Sequence, residues 1–494
     1  MHRSVRADLP LRLAAGVPLH RALYDALRDA MLRGRLGPGE RVPASRDLAT
    51  QLAIARGTVV AVYAQLTSEG YLVGRHGSGT FVADSLPDRW FAPSGAATDV
   101  VPASSRHALS SWGRRLGPSP FVESGRQRPR PFRPHVPAVD AFPIDIWTRL
   151  VARRARHDEA LWLDGGDVRG HRPLRERLAG YLRAARGVVC SAEQVVILPS
   201  TQQALDLCAR LTLDPGDEVW IEEPGYVGAR AVLAALGAKI VPVPVDAHGL
   251  DVDAGVRRAP RARLVYVTPG HQAPLGVTLS LERRLALLGW ANESGALIVE
   301  DDYDSEYRYE GRPVPALQAL DARGVVIHTG TFSKTLLPSL RLAYAVVPTS
   351  LLDRFLAAKS IGDRYTPPLV QAVLADFIDE GHFGRHLRRM RELYATRREA
   401  LLRALDDELG STIEVVGASA GLGLTLRLPA GVDDVALCAA LAARSIEAYS
   451  LSSHALSPRK PTGLVLGFAP YTPARLRRAV EELARTLATH RRPR

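Results

Sequence analysis

Nine prolines fall within the 56 positions from 84 to 139, and the stretch ends in a run, 126–134, made almost wholly of arginine and proline. Proline has no amide hydrogen to donate and pushes the residue before it out of the helical region. Such a stretch supports neither a helix interior nor a central strand. A chain of 494 residues interrupted in this way divides into a front module, residues 10–83, a proline- and arginine-rich linker, residues 84–139, and a back module, residues 140–494. Where extended, the linker gains about 3.1 Å per residue. A short piece of it, 109–116, is expected to dock on a neighbouring surface.

Hydrophobic residues at 46% and charged residues at 23% are ordinary globular values, which excludes a fibrous or extensively disordered chain. The three cysteines, Cys190, Cys208 and Cys438, are scattered and form no CxxC pair, so neither a disulfide scaffold nor a metal site is expected. The first ten residues lack the apolar core of a secretory leader, and the apolar stretches, such as 231–238, fall short of the roughly 20 residues that cross a bilayer. A cytoplasmic protein without a membrane partner is expected. The net charge is +12, and its distribution says more than its size. Residues 1–83 carry 11 arginines against six acids and residues 84–139 eight against four, so the basic excess lies at the front.

In the front module Leu19, Leu23, Leu27, Ala30 and Met31 recur at spacings of three and four, which predicts a helix over 20–33. Ser45 is expected to cap a second, short helix, and a third is expected over 57–68 after a tight turn near 53–56. A hairpin with a glycine-rich tip follows at 71–82. Helix, helix, turn, helix, hairpin is the order of a winged helix-turn-helix, in which the third helix enters the major groove and the wing reaches phosphate or minor groove. Residues 38–82 resemble the DNA-binding domain of the GntR family of bacterial transcription regulators over nearly its full length. The resemblance implies contact with double-stranded operator DNA by Arg46, Arg56 and Thr58, with Arg75, His76 and Gly77 of the wing beside them; pairing with guanine and clamping of phosphate both remain open for the arginines.

The back module alternates apolar runs, at 194–198, 218–221, 238–243, 263–267, 296–299, 325–328 and 342–347, with amphipathic segments such as 202–211, 227–236 and 280–292. Alternation of this kind predicts an α/β fold, a mostly parallel seven-stranded sheet covered by helices, with ligands gathered at strand ends. Three strand ends carry polar groups: Ser200 to Gln203, Glu300 to Tyr303, and Gly330 to Thr335 with Arg341 beyond. Lys334 is one of only four lysines among 64 basic residues. An amine forms an imine and a guanidinium does not, which is a chemical reason for this exception.

Together these residues resemble a type I aminotransferase domain, the pyridoxal 5'-phosphate fold of the aspartate aminotransferase superfamily, over about 165–470. The resemblance implies a smaller α+β subdomain from about 370 to 494 plus the segment near 140–185. It implies that Lys334 carries the cofactor as an internal aldimine, that Asp301 holds the pyridine nitrogen protonated, that Tyr303 bonds the ring's phenolic oxygen and that Tyr226 stacks on the ring. Thr201, Gln202, Thr331, Ser333 and Arg341 become the phosphate set, and Asp302 and Asp304 supporting or structural acids. Two departures stand out. Ala273-Pro-Leu-Gly276 has alanine where the family shows asparagine, and residues 463–469 lack the arginine that clamps a substrate carboxylate. Arg230 and Arg459 are candidate substitutes for effector binding.

A DNA reader fused to such a domain resembles the MocR subgroup of GntR regulators. That resemblance implies a homodimer, with or without exchange of readers between chains, that senses the cofactor or a small amino compound at Lys334 and adjusts operator binding. Two other readings compete with it: a working aminotransferase with an accessory reader, and a dimerisation scaffold that has lost the cofactor.

Overall fold

The structure, a computed structural model, describes residues 11, 13–14, 16–75, 77–87, 108–121, 129–157, 165–311, 313–458 and 460–490. The chain forms two compact units, Met1–Ala108 and Leu109–Arg494.

In the smaller unit three helices, α1 (Leu19–Leu32), α2 (Ser45–Gln51) and α3 (Arg56–Ser68), precede a hairpin of β1 (Leu72–Arg75) and β2 (Gly79–Val82). The strands pair antiparallel from Leu72 opposite Val82 to Arg75 opposite Gly79. Leu23, Leu27, Leu48, Val59, Val62, Leu66 and Leu72 form one core, each contributing about 1.5–3 kcal/mol by leaving water. The turn between α2 and α3 places Ala53 at φ +52°, a left-handed conformation that a residue with a Cβ adopts at a cost of roughly 1 kcal/mol. The expected cap is displaced by one residue. Ala44, extended at φ −62° and ψ 146°, precedes α2 without a side-chain cap bond, and Ser45 is the first helical residue. Its hydroxyl instead accepts from Arg56 Nε at 3.4 Å.

The larger unit is built on a sheet with all seven expected strands: β3 (Val195–Leu198), β4 (Glu218–Glu223), β5 (Lys239–Asp246), β7 (Leu264–Val267), β8 (Leu297–Asp302), β9 (Val326–Thr331) and β10 (Ala343–Val346). A two-residue strand, β6 (Gly249–Leu250), extends its edge to eight. The order is β3-β10-β9-β8-β7-β4-β5-β6, with β10 antiparallel to both neighbours and the run from β9 to β5 parallel. Helices Thr201–Thr212, Val227–Leu236 and Leu281–Ser294 occupy the expected crossovers. Beyond them a four-stranded antiparallel sheet, in the order β11 (Glu414–Val416), β12 (Gly423–Arg427), β14 (Gly463–Gly467), β13 (Tyr449–Ser450), packs with helices Ile144–His157, His382–Leu409 and Pro473–His490.

Much of the described proline-rich stretch belongs to this larger unit. The helix Ser111–Arg115 docks as the sequence suggests, with Arg115 Nε donating to the Ala235 carbonyl at 2.9 Å. Further on, Phe132 is fully buried, and its carbonyl accepts from Gly467 N at 2.8 Å. A Cβ at Gly467 would lie 2.2 Å from the Arg133 carbonyl oxygen, so only glycine lets this strap lie on the small sheet. Proline here confines regular structure to short helical pieces without preventing packing.

Candidate functional site

On the smaller unit Arg46, Arg56 and Arg75 are exposed, Thr58 is half-buried in the first turn of α3, and Gly77 is exposed at the wing tip with φ +71°. Arg75 lies over the Phe81 ring at 4.7 Å, which steadies its guanidinium without neutralising it. His76 lies outside the described residues.

In the larger unit the carboxyl ends of the parallel strands converge on a cavity of about 460 Å³. Nine residues named from the sequence line it together: Thr201, Gln202, Tyr226, Asp301, Tyr303, Thr331, Ser333, Lys334 and Arg341. Register explains the convergence, because Asp301 pairs with Thr329 and Asp302 with Gly330, which sets the ends of β8 and β9 side by side. Side chains alternate across a strand, and the acid run at the end of β8 uses that alternation. Glu300 faces away and pairs with His328 at 3.0 Å, and Asp302 is locked to Arg186 at 2.7 and 3.1 Å. Asp301, between them, faces the cavity.

Asp301 accepts from the Tyr266 hydroxyl at 2.7 Å through Oδ2, and its Oδ1 is buried without a partner. Burial pushes the carboxyl up to about 6, against the pull of the Tyr266 bond. A buried acceptor left unpaired costs about 1–3 kcal/mol. Lys334 stands half-buried in the wall. Burial of its amine lowers it to about 8, although Asp304 and Asp301 favour the charged form. Its Nζ donates to the carbonyl of His135 at 2.9 Å.

Ser200 caps the helix Thr201–Thr212 and Thr331 the short turn Phe332–Thr335, accepting from Gln203 N and Ser333 N, both at 3.1 Å. Helix starts of this kind leave amide hydrogens free for an anion, and Arg341 adds a guanidinium. The Gln202 side chain serves another purpose: it accepts from Tyr226 Oη at 3.2 Å and donates to the Gly228 carbonyl at 2.8 Å, holding the aromatic ring in place. Arg230 is absent from the described lining; it donates to the Ser453 carbonyl at 3.3 Å, beside the lining residue His454. Arg459 lies outside the described residues.

Several contributors were missed in the sequence, among them Tyr266, which bonds Asp301, and Thr268 and Pro338 of the lining. His135 and Phe121 line the cavity from the proline-rich stretch, where no periodicity marked them, and His454 reaches it from the 3-10 turn Leu451–His454. His271, two positions before Ala273, lies behind Tyr303 at 3.2 Å from its hydroxyl. Its signal was a histidine beside the altered Ala273-Pro-Leu-Gly276 motif. Ala273 itself lines the wall, as the departure implied.

Residues 144–483 match aminotransferase class I and II, and residues 19–82 match the bacterial regulatory proteins of the gntR family. The chain is 42% identical over 473 residues, 95% of its length and 94% of the relative's, to a probable rhizopine catabolism regulatory protein MocR of Rhizobium meliloti. This chain belongs to the MocR subgroup of GntR transcription regulators. Another relative, the pyridoxine biosynthesis transcriptional regulator PdxR of Corynebacterium glutamicum, is 31% identical across 97% of this chain and 98% of that one. Among solved structures, an archaeal alanine:glyoxylate aminotransferase superposes with a TM-score of 0.72 at 26% identity, covering 77% of this MocR-type chain and 98% of its own. The α-aminoadipate aminotransferase LysN of Thermus thermophilus, complexed with N-(5'-phosphopyridoxyl)-L-leucine, gives 0.67 at 29%, covering 72% and 92%. The larger unit is thus a type I aminotransferase fold joined to a winged helix-turn-helix reader.

The residues present fit the cofactor of that fold. The cavity offers capped helix starts with a guanidinium for an anion, an amine in its wall and an unpartnered buried carboxylate oxygen that a pyridinium N–H would satisfy. Among the described residues no cluster of side chains is arranged to hold a metal, and no helix is long and apolar enough to cross a membrane.

Proposed function

We propose that this MocR-type regulator binds pyridoxal phosphate at Lys334 and reads the cofactor, or a small amine that competes for it, as a signal that changes its grip on operator DNA. When bound, the cofactor supplies an aldehyde that amines exchange on and off, and a ring that withdraws electrons. The chain's own residues supply the rest. Lys334, its proton loosened by burial, has a far larger neutral fraction near physiological pH than an ordinary lysine. Asp301 holds a proton at the ring nitrogen, Tyr226 backs the ring, and Thr201, Thr331, Ser333 and Arg341 bind and orient the phosphate. Tyr303 directs a hydroxyl at the ring oxygen. Arg46, Arg56, Thr58 and the wing hold DNA, and two readers in a homodimer match a repeated operator.

One observation carries the cofactor reading: a desolvated lysine amine and an orphaned carboxylate oxygen belong to the same cavity at the strand ends. An effector alters DNA binding only by favouring one conformation over another. The test is operator affinity of the full chain across a titration of pyridoxal phosphate and of candidate amines. Affinity that never moves overturns the sensing role.

A catalytic reading draws on a 32%-identical relative covering 67% of this chain, a 2-aminoadipate transaminase of Thermus thermophilus. Against it, β14 is buried throughout and carries no arginine to clamp a substrate carboxylate. Steady conversion of an amino acid with a keto acid, lost in Lys334→Ala, would establish that reading instead.

A further inference from the structure

The ring of His271 is buried, with Nδ1 2.9 Å from Asp304 Oδ1 and 3.2 Å from the Tyr303 hydroxyl, and Nε2 3.4 Å from the Gly417 carbonyl. Two of these partners, a carboxylate and a carbonyl, only accept. The shorter contact takes the Nδ1 proton to Asp304, so that nitrogen has no lone pair to offer Tyr303. The tyrosine oxygen therefore lies beside an N–H, and its own hydrogen must point elsewhere. The cavity, which Tyr303 lines, is the open direction.

The surrounding backbone is shaped to admit this ring. A Cβ at Gly421 would lie 2.2 Å from His271 Cε1 and 2.5 Å from Asp304 Oδ2, and one at Gly276 would lie 2.8 Å from His271 Nε2. Both glycines have positive φ, +79° and +68°. Burial and the Arg308 guanidinium oppose a charge on His271, but Asp304 and the Gly417 carbonyl outweigh them and raise its proton affinity. Burial together with Asp304, Asp301, Glu222 and Asp302 keeps the Tyr303 hydroxyl protonated. His135, whose ring meets Tyr303 edge-on, stays neutral because burial, Lys334, His454 and His271 all lower it.

We infer that Asp304 and His271 form a positioning pair that turns the Tyr303 hydroxyl proton into the cavity, supplying by orientation the polar hold on the cofactor's ring oxygen that Ala273 cannot provide. This inference rests on pyridoxal phosphate being the group held at Lys334.

The test follows the visible absorption band of the full chain loaded with pyridoxal phosphate as pH is raised. A hydroxyl that donates to the ring oxygen favours the form carrying charge on that oxygen, so losing it makes protonation easier and raises the midpoint. His271→Gln keeps a polar end in the same space, but its rotatable amide can turn an oxygen toward Tyr303 and so fixes no N–H beside that hydroxyl, and it should raise the midpoint by about one pH unit. Asp304→Asn should raise it by less, and Tyr303→Phe by as much as His271→Gln. Adding His271→Gln to Tyr303→Phe should then change nothing further, which a residue that merely packs would not reproduce. An unchanged midpoint in His271→Gln, or an equal added rise in the Tyr303→Phe background, overturns the pair. A wild-type chain that never develops the band overturns the cofactor reading, and the pair with it.

Discussion

The two units prepare their functional side chains in opposite ways. On the reader, Arg46, Arg56 and Arg75 stand in solvent, with Arg56 held by a 3.4 Å contact to Ser45 and Arg75 by stacking on Phe81. In the cavity, Lys334 and Asp301 are desolvated until both titrate away from their ordinary values, and one carboxylate oxygen has no partner at all. A surface that meets a polyanion needs hydrated charge, because phosphate and released counterions supply the binding energy on contact. The covalent capture proposed for the cavity needs an amine whose neutral form is accessible, and burial in the large unit makes it so.

The largest expected effect tests the cavity side of this contrast. Lys334→Ala should abolish the visible band and the borohydride-fixed adduct with pyridoxal phosphate, measured by absorbance and peptide mass, while leaving DNA binding by the reader in place. Next comes pH. Burial lowers the folded-state affinity of Lys334 for its proton to about 8, so the neutral amine that captures the aldehyde is scarce below that value and dominant above it. The rate at which the band appears should rise roughly fiftyfold between about pH 6 and 8 and then level off; a flat profile breaks the contrast. The same shift makes the unliganded fold more stable as pH climbs from about 8 toward the ordinary lysine value, since only the unfolded chain still holds the proton there.

Asp301→Ala removes the carboxylate that awaits a partner, and cofactor retention on dialysis should fall by about tenfold to a hundredfold, the worth of a charged hydrogen bond. On the reader, Arg56→Ala should weaken operator binding about tenfold with the visible spectrum unchanged. Salt dependence then sharpens the assignment, because loss of a phosphate contact reduces the salt slope whereas loss of a base contact relaxes sequence preference. The smallest effect separates a true cap from an apparent one. Asp433 accepts from Val435 N and Ala436 N, both at 3.0 Å, so Asp433→Ala should cost about 1 kcal/mol in denaturant unfolding. Ser45→Ala, where no cap bond exists, should stay within about 0.5 kcal/mol.

Period and composition made the elements legible. The seven strands and the helix Val227–Leu236 fall where apolar alternation put them, since burial on one or both faces of an element is written into the chain locally. Nine cavity residues were also legible, Tyr226 through the family resemblance and the others because strand ends in an open α/β sheet meet at one edge whatever the sequence between them. His135, Phe121, His454 and His271 were not. They come from a proline-rich strap, a 3-10 turn and a loop, whose positions depend on Phe132 seating against Gly467 and on His271 finding space beside Gly421.

From the residues alone came the two-unit plan, the reader's helix order, the mostly parallel sheet and the choice of Lys334, because periodicity, proline content and the chemistry of a rare amine are local properties; Asp301 came from the family resemblance. Tertiary structure alone decided which oxygen of Asp301 is left unpaired, that Gln202 props Tyr226 rather than standing free, and that a histidine takes a place behind the tyrosine. Those outcomes depend on distances between residues tens to hundreds of positions apart, and only packing sets such distances.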